Sequence, residues 1–268
     1  VLDETTLRNI CKDYKEAFSG YKNVNMMYAS KALCTLATSA ILADEGFGFD
    51  VVSAGEMYTV YKAGADMKKV LFNGNNKSIS ELTLALELGV GRISVDNFLE
   101  LSLLNELAKS MNKTAEILLR ITPGIECHTH EYIQTGHLDS KFGFDLTQID
   151  EAVNLILDEY SNLTLRGLHA HIGSQIFETK VYHDEIEILV KELARLDEKF
   201  GLKLDEINIG GGLGVKYTES DCPPSTYEIA CVIIESLNSS VQKYGIGYPT
   251  LFIDCLLYTS PSPRDRQK

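Results

Sequence analysis

The chain is expected to fold as a (β/α)8 barrel. Short apolar runs alternate with longer amphipathic ones along residues 1–254, and eight of the short runs can be strands. The first four repeats recur at intervals of roughly two dozen residues, close to the smallest β–α–β unit. The 268 residues suffice for one large barrel or two ordinary domains, and no low-complexity tract interrupts residues 1–254. A doubly wound open sheet is the alternative, but it seldom needs eight repeats this regular.

Taken in order, the strands are expected to end near Ala29, Val51, Phe72, Val95, Ile121, Ala170, Ile209 and Ile253. Helical patterns fill the intervals: Ala32–Ala43, Ser53–Ala63, Ser78–Leu88, Asn97–Ser110, Thr147–Tyr160, Lys180–Phe200 and Ser225–Tyr244. Ser53 with Glu56 three residues on reads as a capping box. Ser78 reads as an N-cap, and Gly89 and Gly201 stop their helices. The Pro123–Phe144 insertion is rich in Gly, His, Thr and Asp, as befits a long loop over an active site.

Asp and Glu number 38 against 25 Lys and Arg, a net charge of −13. So acidic a surface argues against nucleic acid or an anionic membrane as partner. No 18-residue apolar run is present, and no basic flank precedes an apolar block at the start. The six cysteines (11, 34, 127, 222, 231 and 255) contain no CxxC pair. They read as reduced packing residues of a cytoplasmic protein, without a structural zinc site.

The chemically loaded residues fall at the C-terminal ends of the expected strands, where barrels bind ligands. Lys31 follows strand one. In a desolvated mouth its amine would lose its proton more readily and could form a Schiff base with an aldehyde; in solvent it would only top the strand. Asp50 sits among apolar neighbours and must be paired, with Lys31 or a cofactor on one reading and in an internal ion pair on the other. Arg120 interrupts an apolar run and faces inward, either to a ring oxygen or carboxylate or into a structural salt bridge. His169-Ala170-His171-Ile172-Gly173-Ser174-Gln175 ends strand six with two rings at i and i+2 and a small hydroxyl donor. Gly210-Gly211-Gly212 follows strand seven, as a backbone nest for phosphate or as a tight turn. An amine, an imidazole and a phosphate nest together describe a site for pyridoxal 5′-phosphate.

Six motifs in order resemble the diaminopimelate decarboxylase family: Tyr28–Lys31, Phe49–Glu56, Pro123–His130, Asp139–Phe144, His169–Gln175 and Gly210–Gly214. The resemblance covers residues 1 to about 254. It places the barrel in the alanine-racemase-like, fold-type III group of pyridoxal-phosphate enzymes. It implies that Lys31 is the Schiff-base lysine and that His171 stacks on the cofactor ring. Ser174 and Gly210 to Gly212 would cradle the phosphate; Asp50 and Arg120 are expected at the cofactor from their own positions at strand ends, not from the resemblance. The implied reaction is decarboxylation of meso-2,6-diaminopimelate to L-lysine and CO2, the last step of lysine biosynthesis. The implied protein is a cytoplasmic homodimer with active sites at the subunit interface. Alternatives are a related decarboxylase for arginine, ornithine or carboxynorspermidine, a racemase, or a non-enzymatic cofactor-carrying barrel.

The pattern breaks after strand eight. Asp254 stands where the family has the glutamate that pairs with the pyridine nitrogen, one methylene shorter. Residues 255–268 form a Pro/Ser/Arg tail without strand or helix period and read as foreign to the family. Val1–Glu4 aligns inside the first strand of the family's second, β-barrel domain, and there is no initiator methionine. The chain is thus expected to be a truncated barrel without that domain, with weak cofactor binding and little activity.

Overall fold

The structure is a computed structural model and describes residues 3–125, 142–216 and 221–255. Its strands are β1 (Val24–Ala29), β2 (Gly48–Val51), β3 (Val70–Phe72), β4 (Arg92–Val95), β5 (Ala115–Thr122), β6 (Phe144–Asp145), β7 (Leu163–His169), β8 (Glu206–Asn208) and β9 (Thr250–Cys255). All pairings are parallel, in the order β4-β3-β2-β1-β9-β8-β7-β5, and β4 pairs with β5 to close the barrel. The two-residue β6 attaches only to the end of β5. The eight barrel strands end within two residues of the positions expected from the sequence.

The helices are α1 (Glu4–Ala17), α2 (Leu36–Asp44), α3 (Ala54–Lys62), α4 (Ile79–Leu88), α5 (Phe98–Ser110), α6 (Ile149–Asp158), α7 (Lys180–Phe200) and α8 (Thr226–Tyr244). Helix α1 was not expected. Asp3 caps it by accepting from the Thr5 N–H, and Leu7, Cys11 and Tyr14 form its buried stripe against the barrel layer. Glu4 is therefore helical and not part of a strand, while Val1 and Leu2 lie outside the described residues. Helix α2 begins at Leu36 and not at Ala32, because the Thr35 hydroxyl takes the Thr38 N–H. The box at Ser53 does not close: Ser53 accepts from Glu56 N–H, but the Glu56 carboxylate takes the N–H of Val52, one residue before the cap. Ser78 with Glu81 and Ser225 with Glu228 form complete boxes.

Inward-facing residues alternate along each strand and stack in tiers. At the bottom, Arg92 of β4 bridges to Glu116 and Glu206. Met27, Leu71, Leu118 and Phe252 fill the middle as one apolar cluster. Asp50, Asn73, Asp96, Arg120, His169, Asn208 and Asp254 form the top, all buried. Cys255 completes β9 opposite Tyr28, its thiol donating to the Met27 carbonyl at 3.2 Å. No helix among the described residues is long and apolar enough to cross a membrane.

Candidate active site

The parallel register sets the top tier. Ala29 lies beside Asp50, Arg120 beside His169, His169 beside Asn208, and Met27 beside Asp254. Lys31 follows β1 in a turn and is exposed at the mouth, not desolvated as the sequence suggested. Its charge still reaches inward: it pulls the Asp50 and Asp254 carboxyls down and pushes His171 down. Strand pairing ends at His169, so the two histidines separate. His169 is fully buried and its Nδ1 lies 2.6 Å from Ser94 Oγ. His171 lies beyond the strand, half-buried, against the glycine loop.

The segment that carries Ser174 reaches the same loop because the stretches after β7 and β8 are zipped together. Ile176 N–H donates to Gly212 O at 2.9 Å, and Gly214 N–H returns to Ile176 O at 3.0 Å. Gln175 adds bonds in both directions with Val215. Gly210 has a φ of +62°, and a Cβ there would stand 2.5 Å from His171 Nδ1, so only glycine lets the loop pass beneath the ring. Its N–H is committed to Asn208 Oδ1 at 2.6 Å. Gly211 N–H reaches His171 Nδ1 only at 3.4 Å. The cradle expected of three glycines thus has one donor already engaged.

Asp50 and Asp254 are 6% exposed each and interact directly, and each has an Oδ1 without a hydrogen-bond partner. Burial raises both, and the mutual repulsion raises Asp254 further. The pair as a whole therefore holds a proton more tightly than a solvated carboxyl does. Arg120 faces this pair; its nearest acid is Asp96, with Nη1 and Oδ1 3.8 Å apart. His171 is pushed down to about 3 by burial, with the charges of Lys31 and Arg120 adding to it. Its ring is neutral across the physiological range.

The profile described as "Pyridoxal-dependent decarboxylase, pyridoxal binding domain" matches residues 4–254. The chain belongs to this family. Curated relatives named diaminopimelate decarboxylase include that of Synechocystis sp., 47% identical over 95% of this chain and 56% of its own length. The Bacillus subtilis enzyme is 41% identical over 95% of this chain and 58% of its own. The solved structure of M. jannaschii diaminopimelate decarboxylase in co-complex with L-lysine superposes with a TM-score of 0.87 at 32% identity. It covers 94% of this chain and 59% of that one. The chain thus spans somewhat over half the length of the relatives it matches.

The residues present fit the family's cofactor. A buried carboxyl pair with unsatisfied oxygens suits the N–H of a pyridinium, and a glycine loop packed directly under an imidazole suits a flat ring with a phosphate. The sequence reading missed Asn73, Ser94, Asp96, Lys77, Glu100 and Asn208. Lys77 and Glu100 pair at 2.7 Å while only 2% and 5% exposed. Ser94 and Asn208 are polar residues on β4 and β8, and Asn73 and Asp96 stand one residue beyond β3 and β4, which is the signal that could have found them. The motif residues 126–130 and 139–141, and the tail from 256, lie outside the described residues.

Proposed function

We propose that this chain is the cofactor-holding barrel of a diaminopimelate decarboxylase, which converts meso-2,6-diaminopimelate to L-lysine and CO2. The observation that carries it is the convergence of Lys31, His171 and the Asp50–Asp254 pair on one barrel mouth. The relatives named for that activity support the substrate. Pyridoxal phosphate, when bound, supplies the electron sink for the electron pair left by departing CO2.

Lys31 offers the amine that anchors the cofactor at the mouth, and its exposure leaves it accessible to an incoming amino acid. The Asp50–Asp254 carboxyl pair would meet the pyridine nitrogen of the bound cofactor and accept its N–H through an unsatisfied oxygen. His171 presents a neutral face for the ring to lie against. Ser174 and the Gly211–Gly212 backbone hold the phosphate. Arg120 supplies the positive charge opposite the two carboxyls. We read residues 1–254 as the cofactor domain, in a cytoplasmic homodimer. The free thiols of Cys11, Cys34, Cys222, Cys231 and Cys255 accord with a reducing compartment.

Absorbance of the 268-residue chain mixed with pyridoxal phosphate tests the anchor. A new visible band is expected in the wild type and its loss in Lys31→Ala; a band of equal strength in both would overturn the assignment. Titrating the loaded chain with meso-diaminopimelate, L-ornithine and L-arginine tests the substrate. A spectral change with ornithine or arginine and none with diaminopimelate would assign it to another decarboxylase.

A further inference from the structure

A buried guanidinium beside a buried carboxylate ordinarily closes to a charge-assisted contact near 2.8 Å. Arg120 and Asp96, 8% and 4% exposed, stay 3.8 Å apart. Both partners are held from behind. The Asp96 N–H donates to Glu100 Oε2 at 3.2 Å, and Glu100 is pinned by Lys77. Lys77 Nζ also donates to Ser94 O at 2.6 Å and to Gly74 O at 2.7 Å. The end of β4 is thus stapled on both sides of Val95.

The Asp96 carboxylate has a second engagement. Its Oδ1 faces Arg120 without a hydrogen bond, while the carboxylate accepts the N–H of Gly143. That bond holds a turn whose preceding residue, Phe142, lays its ring 4.4 Å from the guanidinium carbon of Arg120. Thr122 Oγ1 ties down the Phe142 carbonyl at 2.5 Å, and Phe144 packs edge-on to Phe98 at 5.0 Å. Gly143 has a φ of +80°, and a Cβ there would stand 2.8 Å from the Arg120 carbonyl. The turn can come this close to Arg120 only with glycine. Asp96 therefore sets a charge on one side of the guanidinium and an aromatic face on another.

We propose that Asp96 and the Phe142–Gly143 turn form a positioning clamp, which keeps Arg120 out of a closed salt bridge and aimed at the Asp50–Asp254 carboxyl pair. Asp96 is a positioning residue here, acting on the cofactor site through Arg120. The clamp rests on the reading of Arg120 and the two carboxyls as cofactor-facing groups. It gives a role to the Phe142-Gly143-Phe144 stretch, which the site itself leaves unexplained.

The test uses the 268-residue chain loaded with pyridoxal phosphate, read by its dissociation constant and by the pH midpoint of its visible band. Removing the Asp96 charge leaves the site more positive, so Asp96→Asn is expected to lower the midpoint by about one pH unit and weaken cofactor binding roughly tenfold. Phe142→Leu should weaken binding by a smaller factor, and Asp96→Glu should restore part of the midpoint. Thermal melts of the cofactor-free variants check that each folds. Asp96→Asn that is folded, with an unchanged midpoint while Arg120→Met moves it, would overturn the clamp. If Arg120→Met leaves both readouts unchanged, the placement of Arg120 at the cofactor is itself wrong, and the clamp falls with it.

Discussion

At the bottom of the barrel, Arg92 spans the interior from β4 to Glu206 on β8 in a two-pronged contact, with Nε at 2.7 Å and Nη2 at 2.5 Å. A third prong reaches Glu116. At the top, Arg120 has its nearest carboxylate at 3.8 Å, and Asp50, Asp96 and Asp254 each keep a buried oxygen unsatisfied. Both ends bury charge, but Arg92 at the bottom is closely paired and Arg120 at the top is not. Burial works against the Arg92 charge and Glu206 more than offsets it, so its pKa is raised; burial prevails at Arg120, whose pKa falls. Charge left uncompensated inside a fold marks a site that awaits a ligand, and charge fully paired marks structure.

The largest consequence follows at the bottom. Arg92→Met should leave Glu206, 6% exposed, as a buried carboxylate with only the looser contact to Arg166 Nε at 3.5 Å. A loss of about 3 kcal/mol is expected in chemical denaturation, since breaking a buried pair strands the remaining charge. Cofactor affinity, measured on the folded fraction, should stay close to that of the parent chain. A variant as stable as the parent would show that the two-pronged contact is worth no more than a surface pair.

The barrel was legible because its signals are local. Apolar runs, capping serines and stop glycines all lie within a few residues of the elements they mark, and the strand ends came out within two residues. Lys31, Asp50, Arg120, His171, Ser174, the three glycines and Asp254 could be proposed from the sequence because each stands at such a strand end. What stayed hidden depends on contacts between distant segments. Glu100 reads as an ordinary acid in the first turn of α5 until β3 brings Lys77 to it. The commitment of Gly210 N–H to Asn208 could not be read from a run of glycines. Helix α1 was missed for a different reason. Leu7, Cys11 and Tyr14 do follow a helical period, but α1 precedes the first barrel strand and so falls outside the β–α repeat that marks the other helices.

A second effect, of intermediate size, comes from outside the barrel wall. Glu185 on α7 is fully buried, neither carboxylate oxygen has a hydrogen-bond partner, and burial with the nearby Asp254 charge raises it well above the usual carboxylate range. The folded state therefore keeps a proton that the unfolded chain gives up near pH 4.3. The stability tied to that proton is full below this pH and drains away as the pH rises through the folded value. Glu185→Gln removes the titration while keeping the shape. It should gain on the order of 1 kcal/mol at pH 8 and almost nothing at pH 4. Equal gains at both would mean that packing, not the proton, limits this position.

The smallest stability change is expected at the top of the barrel, where the comparison is sharpest. Asp50 takes a long hydrogen bond from Asn73, 3.4 Å, and faces Asp254, whose pKa its charge raises. Asp50→Asn removes that repulsion and places an amide donor beside the remaining carboxyl. Replacing a poorly compensated buried charge by a neutral isostere is commonly neutral or stabilising, so a change within about 0.5 kcal/mol is expected. Cofactor binding should move the other way, because the pair that faces the pyridine nitrogen loses one of its two acidic groups, and the band formed with pyridoxal phosphate should weaken. The pair of readouts separates function from fold at one position. If Asp50→Asn instead costs as much stability as Arg92→Met, the top tier is a structural ion network like the bottom one, and its unsatisfied oxygens say nothing about a ligand.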